Sequence, residues 1–425
     1  MKRLLLVLVI LLAALAALVW MFNFWGGPGL QDAAPTAPPA PEQVARGAYL
    51  ARVGNCMLCH TERGGVSYAG GRPLETPFGT VYGSNLTPDA ETGLGRWSAA
   101  HFRRALQEGR SRDGRLLYPV FPYPHMTRVS DGDAQALFEY LRSLPPVNRP
   151  NRAHRLRWPY NTQAALAAWR AVYFRSGKFE PDPARTREWN RGAYLVQGLA
   201  HCGACHSARD ALGGLRGGMD LSGGLIPLQN WYAPSLQSPS EASVAGWPLA
   251  DIERLLATGR SPRGTVLGPM AEVVLQSTQY LAPADLRAMA VFLKGLPQRE
   301  PQAETPQPAA MSTRMAARGA KLYGEHCAQC HGDQGEGVPG AYPALAGNRA
   351  VTLAVTANLV QVVLGGGFPP ATAGNPRPFG MPPYATVLSD ADVAAVISHI
   401  RTSWGNRAAP VGEFTVSRQR GGIAP

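Results

Sequence analysis

Three five-residue stretches decide the fold of this chain, because each repeats the pattern Cys-x-x-Cys-His. They are Cys56-Met57-Leu58-Cys59-His60, Cys202-Gly203-Ala204-Cys205-His206 and Cys327-Ala328-Gln329-Cys330-His331. The chain has six cysteines, and these stretches contain all of them. A disulfide framework would scatter its cysteines through loops, and a zinc ribbon would place two such pairs within one small domain. The three stretches lie far apart in the chain, which fits neither.

The spacing within each stretch points to one ligand. On a helical turn, positions i, i+3 and i+4 share a face, so two thiols and the following imidazole can approach one planar group. Cys-x-x-Cys-His is the attachment signature of c-type haem, in which the thiols bond to the porphyrin and the histidine binds the iron. The sequence therefore predicts three covalently attached c-type haems. The predicted attachment cysteines are Cys56, Cys59, Cys202, Cys205, Cys327 and Cys330, and the predicted iron ligands are His60, His206 and His331.

Composition narrows the class of protein. A chain of 425 residues is too long for one core, and 45% hydrophobic residues exclude a wholly disordered protein. Only 16% of the residues are charged, while 47 Gly and 38 Pro predict short helices joined by turn-rich loops. The net charge of +12 is spread along the chain without a nucleic-acid motif, so we expect no nucleic-acid partner.

The N-terminus predicts export and a membrane anchor. Met1-Lys2-Arg3 precedes an apolar run from residue 4 to 22, and basic residues before such a run stay in the cytoplasm. The length of the run favours an uncleaved transmembrane helix over a signal peptide cleaved near Ala14-Leu15-Ala16, which is the alternative. Either interpretation places the rest of the chain in the periplasm, and the anchor adds an inner-membrane location.

Internal repeats give the domain organisation. A similar five-residue motif precedes each Cys-x-x-Cys-His stretch, as an N-terminal helix beside a haem would. The three motifs are Arg46-Gly47-Ala48-Tyr49-Leu50, Arg191-Gly192-Ala193-Tyr194-Leu195 and Arg318-Gly319-Ala320-Lys321-Leu322. Predicted central helices run over 97–109, 247–259 and 358–365, and predicted closing helices over 131–144, 283–296 and 389–400.

The predicted fold is all-α, with three tandem cytochrome c domains behind an N-terminal transmembrane anchor. The predicted boundaries are 1–25 for the signal-anchor helix, 26–41 for a Pro/Ala/Gly-rich tether, 42–150 for domain 1, 151–182 for a connector with a helix over 162–174, 183–300 for domain 2, 301–312 for a linker, 313–405 for domain 3 and 406–425 for a C-terminal tail.

A haem that only transfers electrons needs a second axial ligand, and methionine is the usual one in cytochromes c. Met381, before the last helix of repeat 3, and Met270, at the corresponding place in repeat 2, are predicted for this role. Repeat 1 has Val120 at that place, followed by Phe121, and neither side chain binds iron. We predict Met126 instead. His125 or an open iron are the alternatives.

The sequence also resembles a known family. In addition to the Cys-x-x-Cys-His stretches, three segments show this resemblance: Asn85-Leu86-Thr87-Pro88-Asp89, the Thr92–Ser98 segment and Gly268-Pro269-Met270. They resemble the tri-haem cytochrome c subunits of membrane-bound periplasmic alcohol, gluconate and sorbitol dehydrogenases over residues 42 to 405. The resemblance implies a subunit that takes electrons from a flavin, quinone-cofactor or molybdenum dehydrogenase subunit and passes them to ubiquinone or an oxidase.

No nucleotide-binding fingerprint, nucleophile elbow or carboxylate pair suggests a catalytic site of the chain's own, so we predict no catalytic residues. Two alternatives to an electron-transfer subunit follow from the sequence. The missing methionine at position 120 suggests an enzyme, a peroxidase or sulfur-oxidising cytochrome, with the first haem catalytic. The membrane anchor is also compatible with a free-standing electron shuttle.

Overall fold

The computed structural model describes residues 1–24, 30, 38–216, 219–299 and 311–421. These residues divide into two compact units. Unit 1 takes Met1–Pro183, Tyr194–Ala204 and Arg209–Arg216, and unit 2 takes Ala184–Ala193, Cys205–Ala208 and the chain from Gly217 onward. Most of the predicted tether (26–41) and of the predicted linker (301–312) lies outside the described residues.

Unit 1 is built from helices and one small antiparallel sheet in the order β1-β2-β3. Its helices are α1 (Lys2–Phe24), α2 (Pro41–Val53), α3 (Cys56–His60), α4 (Ala99–Glu108), α5 (Tyr123–Met126), α6 (Asp131–Ser143) and α7 (Gln163–Tyr173). Its strands are β1 (Pro73–Thr76), β2 (Gly79–Tyr82) and β3 (Arg155–Leu156). The chain continues through α8 (Arg187–Tyr194), a π-helical turn over Leu195–Leu199, and α9 (Gly203–His206).

Unit 2 contains the rest of repeat 2 and the described part of repeat 3. Its helices are α10 (Leu249–Thr258), α11 (Pro269–Gln276), α12 (Pro283–Lys294), α13 (Thr313–His326), α14 (Ala328–His331), α15 (Arg349–Thr352), α16 (Ala357–Gly365), α17 (Asp390–Thr402) and α18 (Glu413–Arg420). Two hairpins complete it, β4 (Gly224–Ile226) with β5 (Trp231–Ala233) and β6 (Arg260–Ser261) with β7 (Gly264–Thr265).

The described chain is mostly helical, and the predicted central, closing and connector helices form within two residues of their expected ends. The strictly all-α expectation is too narrow, because three short antiparallel sheets are present among the described residues. The segment from 406 onward, predicted only as a tail, forms α18, whose buried Val416 packs in the same core as α16 and α17.

One helix crossing recurs in all three repeats. The glycine of each Arg-Gly-Ala motif lies against a backbone carbonyl of the closing helix, so close that an added Cβ would overlap the oxygen. The pairs are Gly47 with Ala136, Gly192 with Ala288, and Gly319 with Ala395. Since a side chain would push the helices apart, glycine is required at this crossing. The crossing fixes where the chain enters each Cys-x-x-Cys-His turn.

The apolar helix α1 includes the one described segment, Lys2–Met21, that is long and apolar enough to cross a membrane, with a mean hydropathy of 3.1. A signal sequence would pass the same test. The C-terminal end of α1 makes specific contacts within unit 1: Asn23 donates from Nδ2 to the carbonyl of Ala167 at 3.1 Å, and the Nε of Arg170 donates to Asn23 Oδ1 at 3.0 Å.

Candidate functional site: three Cys-x-x-Cys-His turns

The first Cys-x-x-Cys-His stretch forms α3, a short helix that begins immediately after a sharp change of direction. Asn55, at its N-terminus, has left-handed backbone angles (φ 48°, ψ 37°), and the Gly54 N–H closes α2 by donating to Leu50 at 2.8 Å. His60 ends the helix, and its Nδ1 lies 2.8 Å from the carbonyl oxygen of Ser84, just after β2. The β1–β2 hairpin therefore holds the imidazole in place.

The histidines of the other two stretches are held in the same way. Nδ1 of His206 lies 2.8 Å from the carbonyl oxygen of Pro234, which directly follows β5. Nδ1 of His331 lies 3.0 Å from the carbonyl oxygen of Pro343. Since a carbonyl only accepts, each Nδ1 must carry the proton and donate it.

A second bond fixes the backbone of each histidine. The carbonyl of each accepts from a glycine N–H further along its own repeat. The donors are Gly70 for His60 at 2.8 Å, Gly223 for His206 at 2.7 Å and Gly337 for His331 at 2.7 Å. Three unrelated loop sequences thus produce one arrangement of the histidine.

This arrangement suits a metal-binding imidazole. With the proton held on Nδ1, the other ring nitrogen has a free lone pair, and a carbonyl partner at Nδ1 is typical of histidines that bind metals. Burial lowers the pKa of His60, His206 and His331 below the usual range, although the hydrogen bonds act in the opposite direction. The neutral form, which is the one that ligates, is therefore favoured at neutral pH.

The cysteines fit thioether attachment better than redox chemistry. None of the six forms a disulfide in the structure. Burial, reinforced by Cys59, raises the pKa of Cys56 to about 12, and burial reinforced by Cys330 raises that of Cys327 to about 11. A redox-active Cys-x-x-Cys pair instead has a lowered thiol pKa. The donor set of two thiols and one Nδ1-protonated imidazole on a single turn matches what a c-type haem requires.

Met381 and the third Cys-x-x-Cys-His turn share one hydrophobic core. Met381 packs against the same hydrophobic core as Cys327 and Ala328. Two backbone bonds pair it with Gly367, at 2.8 and 3.0 Å, and the nearby Tyr384 hydroxyl donates to the carbonyl of His326 at 2.7 Å. The predicted ligand loop and the attachment turn are therefore tied together.

Met270 is the second residue of α11 and is half-buried. The turn before it depends on Gly268, which has a left-handed φ of 56° and supports the indole ring of Trp231. Trp231 starts β5, the strand that leads to the Pro234 carbonyl on His206. The hairpin thus contacts both the second turn and the loop of its predicted methionine ligand.

Repeat 1 is different. Met126 ends α5 and is only 3% exposed, unlike the half-buried Met270 and Met381. The adjacent His125 is 2% exposed, and neither of its ring nitrogens has a hydrogen-bond partner. Burial, with the nearby charges of His201, Arg209 and Arg128, lowers the pKa of His125 to about 3. Both candidate ligands are thus interior groups on one short helix.

The sequence did not reveal the backbone carbonyls of Ser84, Pro234 and Pro343 or the role of Trp231. Their signal is geometric, because a carbonyl has no residue type. His101 is buried and caps α4: its backbone N–H donates to Ser98 Oγ at 3.3 Å, and its Nδ1 accepts from the Ser98 N–H at 3.2 Å.

The chain is similar in sequence to several known proteins. The cytochrome c family profile matches residues 44–145 and 316–404. The alcohol dehydrogenase (quinone) cytochrome c subunit of Gluconacetobacter polyoxogenes is 39% identical over 379 residues, covering 86% of this chain and 81% of that protein. The gluconate 2-dehydrogenase cytochrome c subunit of Pantoea cypripedii is 36% identical over 385 residues and covers 86% of both chains.

A third relative has a different organisation. A nicotinate dehydrogenase subunit of Pseudomonas putida is 40% identical over 385 residues, which are 88% of this chain but only 32% of that protein. A sequence similar to this chain therefore occurs both as most of a protein and as a part of a longer one.

Proposed function

The chain belongs to the family of cytochrome c subunits of membrane-bound dehydrogenases, and from that premise we propose that it is an electron-transfer subunit with three covalently attached c-type haems. It passes electrons from a partner dehydrogenase to the quinone pool or the respiratory chain. The observation that carries this proposal is the shared geometry of the three histidines, each with Nδ1 on a backbone carbonyl.

Each repeat, taken as one cytochrome c domain, holds one haem. The attachment thiols are those of Cys56 and Cys59, Cys202 and Cys205, and Cys327 and Cys330. The proximal nitrogens are those of His60, His206 and His331. When bound, the haem iron supplies reversible one-electron exchange, and the protein sets its potential through ligands, burial and hydrogen bonds. Met270 and Met381 are the proposed sixth ligands of the second and third sites.

For the first site we propose Met126, with His125 as the alternative. Both are interior residues of α5, and the sulfur of Met126 needs no proton or hydrogen bond to serve as a ligand. A variant of the proposal has an open first site and a catalytic first haem. The reason for this variant is that repeat 1 has Val120 at the place where repeat 2 has Met270.

We propose that α1 remains as an inner-membrane anchor, with the body of the protein in the periplasm. The contacts of Asn23 with Ala167 and Arg170 support retention of the helix. Cleavage near Ala14-Leu15-Ala16 would leave a short apolar segment attached to the C-terminal end of α1, which makes these contacts. The partner is a flavin, quinone-cofactor or molybdenum dehydrogenase subunit, by analogy with relatives named for alcohol, gluconate and nicotinate dehydrogenases.

The test is to purify the full chain from membranes in mild detergent and to follow its visible spectrum. We expect a catalytic chain to co-purify, its substrate to reduce the c-type α band, and a ubiquinone analogue to reoxidise it. Peroxide turnover by the chain alone, with a high-spin ferric haem, would support the enzyme alternative instead. Purification without any catalytic chain would support a free-standing shuttle.

A further inference from the structure

The ends of the β4–β5 hairpin provide the hydrogen bonds that hold His206, the histidine of the second Cys-x-x-Cys-His turn. The Pro234 carbonyl, directly after β5, accepts from Nδ1 of His206 at 2.8 Å, and the N–H of Gly223, directly before β4, donates to the His206 carbonyl at 2.7 Å. Any displacement of this hairpin therefore moves or weakens the hydrogen bond that orients the imidazole.

The other end of β5 reaches the loop of the predicted sixth ligand. The indole ring of Trp231 lies against Gly268, where an added Cβ would come within 2.7 Å of the ring. Gly268 stands two residues before Met270. One three-residue strand thus contacts the loop that precedes Met270 and leads directly to the carbonyl that accepts from His206.

The outer edge of β5 is held by a side chain from repeat 3. The Tyr232 N–H donates to Oδ1 of Asn358 at 2.7 Å, and Nδ2 of Asn358 donates to the Tyr232 carbonyl at 2.7 Å. The side-chain amide has an oxygen that accepts and an NH2 group that donates, so it replaces a neighbouring strand at this residue. In unit 1 the corresponding edge of β2 is covered by backbone, with Gly79 opposite Leu156 in β3.

Asn358 lies on a helix that packs into the hydrophobic core of repeat 3. It is the second residue of α16, whose Val360 and Leu364 are fully buried in the repeat 3 core. The chain directly after α16 is pinned by the two backbone bonds between Gly367 and Met381. The helix that carries Asn358 is therefore held by its buried face and by the chain that follows it.

We propose that Asn358 is a positioning residue for the second haem, which orients His206 and Met270 from the neighbouring repeat by clamping β5. The inference rests on the proposed function, because it assigns a role toward a bound haem. Groups that orient a metal-binding histidine tune the electron donation of its ring, so a loosened hairpin weakens the Pro234 hydrogen bond and raises the reduction potential.

The test is a redox titration of the full detergent-purified chain, followed by optical and EPR spectra that separate the three haems. Asn358→Leu, which removes both hydrogen bonds, is expected to change the equilibrium constant for reducing one haem by about tenfold, about 59 mV for one electron, with the potential rising. Asn358→Asp keeps the acceptor and loses the donor, so we expect a smaller shift. Haem content and the potential of the first haem serve as internal references.

Thr372→Val is the matched control, because it removes another hydrogen bond between repeats 2 and 3, from Thr372 Oγ1 to the Thr258 carbonyl at 3.4 Å, without touching β5. We expect it to leave all three potentials unchanged. Three haems with unshifted potentials in Asn358→Leu, or equal shifts in Thr372→Val, would overturn the inference. A wild-type chain without haem would instead refute the proposed function.

Discussion

Asp133, in the first turn of α6, accepts hydrogen bonds from two partners: Arg46 Nε at 2.9 Å and the hydroxyl of Tyr194 at 2.6 Å. The Arg46 guanidinium thus joins the helix before the first Cys-x-x-Cys-His turn to the closing helix of the same repeat. The other repeats contain the same ion pair, Arg191 with Asp285 and Arg318 with Asp392. Beside the glycine crossing, this pair sets the register of the two helices.

Because of its burial, the first of these ion pairs should contribute the most to the free energy of unfolding. The Asp133 side chain is 3% exposed, whereas that of Asp392 is 18% exposed. We expect Asp133→Ala to lower the free energy of unfolding by about 3 kcal/mol, because it leaves Arg46 and the Tyr194 hydroxyl without their partner. Asp392→Ala should cost about 1 kcal/mol. Chemical denaturation of the two variants tests this, and equal losses would contradict the role assigned to burial.

The glycine crossing makes a second prediction, with a control in the same helix. Gly319→Ala should destabilise the protein by several kcal/mol, on the order of 3, because its Cβ would overlap the Ala395 carbonyl in α17. Gly324→Ala, also in α13, meets nothing within 4 Å and should stabilise by about 0.5–1 kcal/mol. Thermal unfolding compares them. Similar midpoints for the two variants would show that the crossing is not tightly packed.

Acid stability should depend on Asp392. The Ser389 hydroxyl and backbone, together with Arg318, hold the pKa of this carboxyl below its usual range. A group with a lowered folded-state pKa stabilises the fold above its unfolded pKa of about 3.9 and loses that contribution as the pH falls through the folded value. Stability measured from pH 6 down to pH 2 should therefore fall less steeply in Asp392→Asn than in the wild type. Parallel profiles would remove Asp392 as a source of the acid sensitivity.

The sixth ligands can be tested one at a time. Replacing Met270 or Met381 by Ala should remove the near-infrared methionine–iron band of one haem and lower the potential of that haem, while three haems remain attached. For the first site, Met126→Ala should have the same effect and His125→Gln should keep the band. If His125→Gln alone alters the ligation of the first haem, the assignment of Met126 is wrong.

The sequence predicted those features that depend on local pattern. The three Cys-x-x-Cys-His turns, the helix periodicity of α6, α12 and α17, and the family resemblance are all encoded within a few turns of chain. The hairpins were not predicted, because β4–β5 pairs only three residues on each strand and shows no alternation of polar and apolar side chains.

Long-range contacts were also beyond the sequence. Nothing near Asn358 in the chain indicates that its amide pairs with Tyr232, 126 residues earlier. Burial of His101 and His125 likewise depends on how the helices pack, since the histidine side chain is compatible with the surface as well as with the interior.

The intact mass of the full chain, purified from membranes after maturation with its haems, tests the central claim most directly. We predict the polypeptide mass plus three haems, with loss of one haem's mass in each variant that replaces both cysteines of a pair, such as Cys327→Ser with Cys330→Ser. A mass equal to that of the bare polypeptide, together with a reduced spectrum that lacks a c-type α band, would contradict the account.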